Sequence, residues 1–157
     1  HEIIIAYEGH ILNYIGDSIM VVFGAPQKLK NHENQAVECS IKMNEALKEL
    51  NTKWDENKLS RYWKNHAIDN ISMRTGIHTG SVIAGNIGSP EMLQYSTIGD
   101  TVNVASRLEK ANKEFNTEIS FSHEIYTALE EELFEKSILS GEITLKGRKS
   151  PTKVYSI

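Results

Sequence analysis

A single cysteine, Cys39, stands among 157 residues, so no internal disulfide can form, and the composition fits a reducing compartment. Prolines number only three, and no low-complexity tract occurs, which excludes collagen-like and disordered classes. No run of 18 apolar residues is present, so this segment is not expected to span or contact a membrane. The first residue is His1 rather than Met, and no basic stretch leads an apolar one. No signal peptide is therefore expected, and the chain reads as cut from something longer or as lacking its start. Basic residues are not in excess: 17 stand against 21 acidic ones, for a net charge of −4. That balance excludes a bulk electrostatic nucleic-acid footprint, so any phosphate chemistry must come from local groups. Neither a GxGxxG fingerprint nor a GxxxxGK[ST] loop occurs, which removes the Rossmann and P-loop routes to a nucleotide. What remains is an ordinary globular composition, 39% hydrophobic and 24% charged, in 17.7 kDa. That is one domain, long enough to bury a core.

The hydrophobic pattern predicts an α+β architecture with antiparallel strand pairs. Residues 1–8 read as the end of a helix stopped by Gly9. Two β-rich runs, 10–15 and 18–23, are separated only by Gly16-Asp17, a hairpin signal. Residues 31–51 carry apolar residues at helical spacing (Ala36, Cys39, Met43, Ala46, Leu47, Leu50), with Asn31 as candidate N-cap. Residues 52–70 are polar and poorly periodic and read as a long connection around Trp54, Tyr62 and Trp63. Strands are expected at 71–78 and 81–84 around Thr79-Gly80, with a loop through Gly85, Gly88 and Pro90, then a strand at 92–98. Asp100 is read as the cap of a helix to about Lys113. A strand over 118–121, a helix from Ser122 to about Leu133, and a closing hairpin of 142–145 with 153–157 complete the pattern.

A few side chains have the chemistry for a site. Asp17 sits on a tight turn, where a carboxylate projects free of the sheet and can reach a divalent cation. The same dipeptide is also ordinary turn chemistry. Asn103 and Arg107 are four apart, hence on one face of the helix, close to its positive end. An amide and a planar guanidinium there make an anion-stabilising patch. Alternatively, Arg107 pairs on the surface with Glu109 or another acid. Lys146 and Arg148 flank Gly147 and can grip phosphate or remain solvated. His78 has no companions at metal-ligand spacing and reads as structural. Cys39 reads as core, and Trp54 and Trp63 as covers of apolar surface.

Four segments carry a resemblance to one family. Ile15-Gly-Asp-Ser-Ile-Met-Val-Val-Phe-Gly-Ala-Pro26 resembles the second metal-binding hairpin of the class III nucleotidyl cyclases. Gly76-Ile-His-Thr-Gly-Ser-Val-Ile-Ala-Gly-Asn-Ile-Gly88 is similar to their central hairpin, and Ile98-Gly-Asp-Thr-Val-Asn-Val-Ala-Ser-Arg-Leu-Glu109 to their most diagnostic segment. Leu145-Lys-Gly-Arg148 with Val154-Tyr155 resembles their C-terminal hairpin. The four stand in family order over nearly the whole chain.

The resemblance implies a ferredoxin-like α+β fold and a homodimer whose shared sites convert a nucleoside triphosphate to a 3′,5′-cyclic nucleotide and pyrophosphate. It implies two divalent metal ions, Mg2+ or Mn2+, with Asp17 as the second metal aspartate. Asn103 orients the ribose, Arg107 neutralises the α-phosphate and Lys146 holds the terminal phosphates. It also implies a cytoplasmic domain, whether or not the parent protein is membrane-anchored. The family's first strand and first metal aspartate precede the opening helix and are expected to be absent from residues 1–157. The base-reading positions hold Asn13 and Ser96. Adenylate cyclases usually place Lys and then Asp or Thr there, guanylate cyclases Glu and Cys. Ser is nearest Thr, so ATP is expected over GTP. The connection over 52–70 is longer and more aromatic than usual. The competing expectation is a cyclase-homology module that regulates without catalysis. Diguanylate cyclases, which share the core fold, are disfavoured because their Gly-Gly-(Asp/Glu)-Glu-Phe turn is missing.

Overall fold

The computed structural model describes residues 1–144 and 151–157. A four-stranded sheet forms its centre, built from β3 (Thr75–Ile77), β6 (Ile119–Ser122), β8 (Thr152–Ser156) and β7 (Ile138–Ile143), in that spatial order. β3 runs parallel to β6, and the other two pairings are antiparallel. Side chains alternate across a strand, and here each face has its own helices. Ile77, Ile119, Phe121 and Tyr155 point to one side, where they pack with Ala36 and Val37 of α2 (His32–Glu56), Ile125 of α5 (His123–Tyr126) and Leu133 of α6 (Glu131–Lys136). Val154 points to the other side, against Val104 and Leu108 of α4 (Asp100–Phe115). Two antiparallel ribbons complete the chain: β1 (His10–Ile15) with β2 (Ser18–Val22), and β4 (Ile83–Ser89) with β5 (Met92–Ile98). Of two short helices, α1 (Glu2–Ala6) meets β1 and α3 (Arg61–Lys64) meets the end of α2.

The first hairpin forms as the pattern predicts. Gly16 has φ of +62°, a left-handed value natural for glycine at the first central position of a two-residue loop. The left-handed residue that ends α1 is Glu8, φ +59°, rather than Gly9. α2 runs five residues beyond the expected end. Its last turn is held by tertiary contacts: Trp54 meets Trp63 edge-on with centroids 5.5 Å apart, and Lys64 reaches Asp55 at 2.7 Å. Asn31 does occupy the N-cap position, but its amide donates instead to Glu130 at 2.7 Å.

The strands expected on either side of Thr79-Gly80 do not pair with each other. β3 is short and joins β6, while β4 starts at Ile83, passes straight through Gly85 and Gly88, and pairs with β5. The single helix expected after Ser122 is two. The break falls where Asn34 of α2 accepts the Glu130 backbone N–H at 2.9 Å and holds Glu130 extended. Cys39 is buried, as its place on the helix stripe requires, and burial pushes its thiol up to about 11.

Candidate functional site

The sequence-predicted residues lie on three elements. Asn103 and Arg107 stand on successive turns of α4, Asn103 exposed and Arg107 half-buried. The helix begins one residue earlier than a cap at Asp100 implies: Gly99 is the N-cap and Asp100 the first helical residue. α4 is anchored at its start, where Thr101 Oγ1 donates to the Ser81 carbonyl at 2.9 Å. Its middle lies directly on β3. A Cβ on Gly76 would fall on the Glu109 N and Ala105 O backbone atoms, so only glycine permits this approach. That contact brackets Arg107 from both sides along the chain.

Arg107 is not used by the surface pair considered above. Glu109 is taken by Arg74, whose Nε donates to Oε1 at 3.1 Å. The Arg107 Nη1 is buried and has no hydrogen-bond partner among the described residues. A buried guanidinium N–H left unmatched costs free energy, on the order of 1–3 kcal/mol. Such a donor is suited to an acceptor that arrives with a ligand.

Asn13 on β1 and Ser96 on β5 lie on touching elements. Gln94 Nε2 donates to the Leu12 carbonyl at 3.0 Å, and His10 meets Tyr95 edge-on at 5.4 Å. The two base-reading candidates therefore follow residues that bridge the ribbons directly. Asn13 is exposed and Ser96 half-buried. Asp17 is exposed at the tip of the β1–β2 turn. Lys146 and Arg148 lie outside the described residues.

Whether these residues suit a pair of divalent ions can be judged from their donors. Among the described residues no group of three or more His, Cys, Asp or Glu side chains is placed to hold an ion. Asp17 supplies one exposed carboxylate. Alone it does not fit a two-ion centre. His78 is structural: its side chain is 4% exposed, with Nδ1 2.7 Å from Ser122 Oγ and 3.9 Å from Glu124.

Three contributors escaped sequence reasoning. Gly76 had a signal, a glycine inside a strand pattern, which marks close backbone approach. Gln94 and Asn112 had none, since a polar residue on a strand or a helix reads as solvated until its partners are known.

Residues 2–157 match the family described as adenylate and guanylate cyclase catalytic domain. Adenylate cyclase 1 of Rhizobium meliloti (strain 1021) is 31% identical over 99% of this chain. The chain spans 22% of that relative's length. Among solved structures, the guanylyl cyclase Cya2 superposes with a TM-score of 0.77 at 28% identity, over 99% of this chain and 72% of that one. The adenylyl cyclase CyaB from P. aeruginosa gives 0.74 at 31% identity, over 99% and 74%.

Proposed function

Because the chain belongs to the adenylate and guanylate cyclase catalytic domain family, we propose that it cyclises a purine nucleoside triphosphate, ATP ahead of GTP, at a site shared between two copies. The observation that carries this reading is the buried, unmatched Arg107 Nη1 on the same helical face as Asn103.

The reaction joins the ribose 3′-oxygen to the α-phosphorus and breaks the bond from that phosphorus to the bridging oxygen. Pyrophosphate leaves with the electron pair, and the 3′-hydroxyl proton passes to solvent. Negative charge builds on the α-phosphate oxygens as the bonds exchange. Arg107 meets that charge with Nη1, a donor that has no partner among the described residues. Such a donor needs no reorganisation and favours the transition state over the ground state. Asn103, one turn earlier, orients the ribose, and the helix N-terminus adds positive potential. Lys146 is assigned the terminal phosphates. Divalent ions, for which Asp17 offers one ligand, neutralise phosphate charge when bound. Because a lone carboxylate does not complete their site, the steps assigned here are those of the polypeptide's own donors.

Two features support pairing of copies. The ribbons expose Ile83 (75%), Met92 (79%), Leu93 (60%) and Tyr14 (58%), apolar side chains that a second copy could cover. Arg107 also needs its ligand delivered by other groups, and a partner's hairpin carries Asp17. No helix among the described residues is long and apolar enough to cross a membrane.

The test is cyclic nucleotide formation from ATP and from GTP by the protein at its full natural length, with Mg2+ or Mn2+, against Arg107→Ala. The substitution is expected to lower kcat by about two to three decades, roughly 3–4 kcal/mol, with KM little changed. No product from either nucleotide would assign a regulatory module instead. An unchanged kcat with raised KM would restrict Arg107 to ground-state binding.

A further inference from the structure

We infer that Asn112 is a positioning residue for the cyclisation: its buried hydrogen bonds set the axial register of α4 and thereby hold Arg107 at the reacting phosphate. The inference rests on the transition-state role proposed above for Arg107.

Asn112 is only 1% exposed, an unusual place for a polar side chain in a helix. Every hydrogen-bonding group it has is used. Nδ2 donates to the Thr75 carbonyl of β3 at 2.9 Å, and to the Leu108 and Glu109 carbonyls of its own helix at 3.3 and 3.2 Å. Oδ1 accepts from Thr117 Oγ1 and from Ser120 Oγ of β6, both at 2.8 Å. Thr117 and Ser120 hydroxyls lie 3.1 Å apart and close the network. One amide thus ties α4 to two neighbouring strands at once.

The apolar contacts of α4 do something different. Val104 and Leu108 bury fully against Val154, but apolar burial is non-directional and tolerates small slides along the helix axis. Hydrogen bonds fail within a few tenths of an ångström and beyond modest angles. The network therefore adds register to a helix that packing has already oriented. Geometry makes it a lever. At about 100° per residue, Asn112 points about 180° from Asn103 and about 140° from Arg107. Fixing Asn112 toward β3 and β6 fixes the directions in which both functional side chains leave the helix. Arg107 lies about 7.5 Å along the axis from Asn112, within one rigid helix, so a shift at one is passed undiminished to the other. The adjacent Gly76 contact, one residue after Thr75, seats the same part of the helix.

The experiment is a double-mutant cycle in the full-length protein: Asn112→Ala, Arg107→Ala and both together, with kcat, KM and thermal midpoint measured for each. Asn112→Ala is expected to lower kcat per folded molecule by about tenfold to a hundredfold, as misplacement by about 1 Å does, with KM little changed. In the Arg107→Ala background the same substitution is expected to change kcat less than about twofold, because the group it positions is gone. Ser120→Ala, which removes one donor to Oδ1, carries the same cycle if Asn112→Ala does not fold. A fall in thermal midpoint with kcat per folded molecule unchanged would overturn the inference and leave Asn112 purely structural. Equal losses of kcat in both backgrounds would also overturn it. Those results leave the Arg107 role standing, whereas an Arg107→Ala protein with unchanged kcat would remove that role and this inference together.

Discussion

On the function proposed above, purine choice is expected to fall to two small side chains, Asn13 and Ser96. Asn13 can donate its amide N–H to adenine N1 or, flipped, accept from guanine N1–H. Ser96 can accept from the adenine amine or donate to guanine O6. Reversible partners leave neither base with an unmatched buried group, so the preference for ATP should be modest, about 1–2 kcal/mol. Asn13→Lys should sharpen it, because an ammonium cannot accept from guanine. The ratio of kcat/KM for ATP and GTP checks this, and a wild-type preference for GTP or a ratio untouched by the substitution would show that Asn13 does not face the base. Cys39 allows a second check at this scale. Its thiol sits near 11 in the fold against 9.0 unperturbed, because burial disfavours the thiolate. The native state then holds this proton more tightly than the unfolded state. The resulting stability is fully present below pH 9 and is lost as pH rises from 9 to 11. The stability difference between wild type and Cys39→Ala should shrink across that window in denaturant titrations. A constant difference would mean the thiol is not shielded.

α4 is the element on which the proposed chemistry depends, and β3 seats it by backbone contact. Gly76→Ala places a methyl group onto the Glu109 and Ala105 backbone, where no rotamer change relieves it. The helix must retreat, so the substitution should destabilise by about 1–3 kcal/mol. The thermal midpoint should fall, and kcat should drop with it because Arg107 moves. A protein within about 0.5 kcal/mol of wild type, the range of an inconsequential surface change, would contradict the close approach. The contrast with Gly16 is instructive. There a Cβ meets nothing within 4 Å, and only the left-handed φ of +62° resists substitution. The cost at Gly16 should be smaller, about 1 kcal/mol, and local to the turn.

At the scale of the whole molecule, the site should be divisible between chains. A dimer of Arg107→Ala with Asp17→Ala retains one site with both groups intact if each site draws Asp17 from one copy and Arg107 from the other. Mixing two inactive variants should therefore restore activity to roughly half at most per heterodimer, as one of two sites survives. Activity is measured after co-expression and tandem purification of the mixed species. Mixed dimers that form and stay inactive would place both residues in one chain's site. Met92 and Leu93 are exposed, and replacing both with Glu should weaken self-association if that end of the β4–β5 ribbon lies between the copies. Sedimentation would register the shift toward monomer.

Local signals in the chain were sufficient for several elements whose partners are near in sequence, though not for the β4–β5 ribbon, where a loop was expected through Gly85 and Gly88. The first hairpin, β5 and the core of α2 and α4 follow from period, turn residues and spacing, and so does the sharing of one face by Asn103 and Arg107. Tertiary structure decided what depends on distant partners. It moved β3 out of the expected pair with β4 and into parallel contact with β6, because the sheet needed an edge that period alone does not name. It split the helix after Ser122 through Asn34 and extended α2 through the Trp54–Trp63 contact. It gave Glu109 to Arg74, left the Arg107 Nη1 without a hydrogen-bond partner among the described residues, and drew Asn112 into the interior. A polar side chain carries no mark in the sequence of whether its hydrogen bonds will be made to water or to protein. Only the folded chain, which brings Thr75, Thr117 and Ser120 around one amide, settles that.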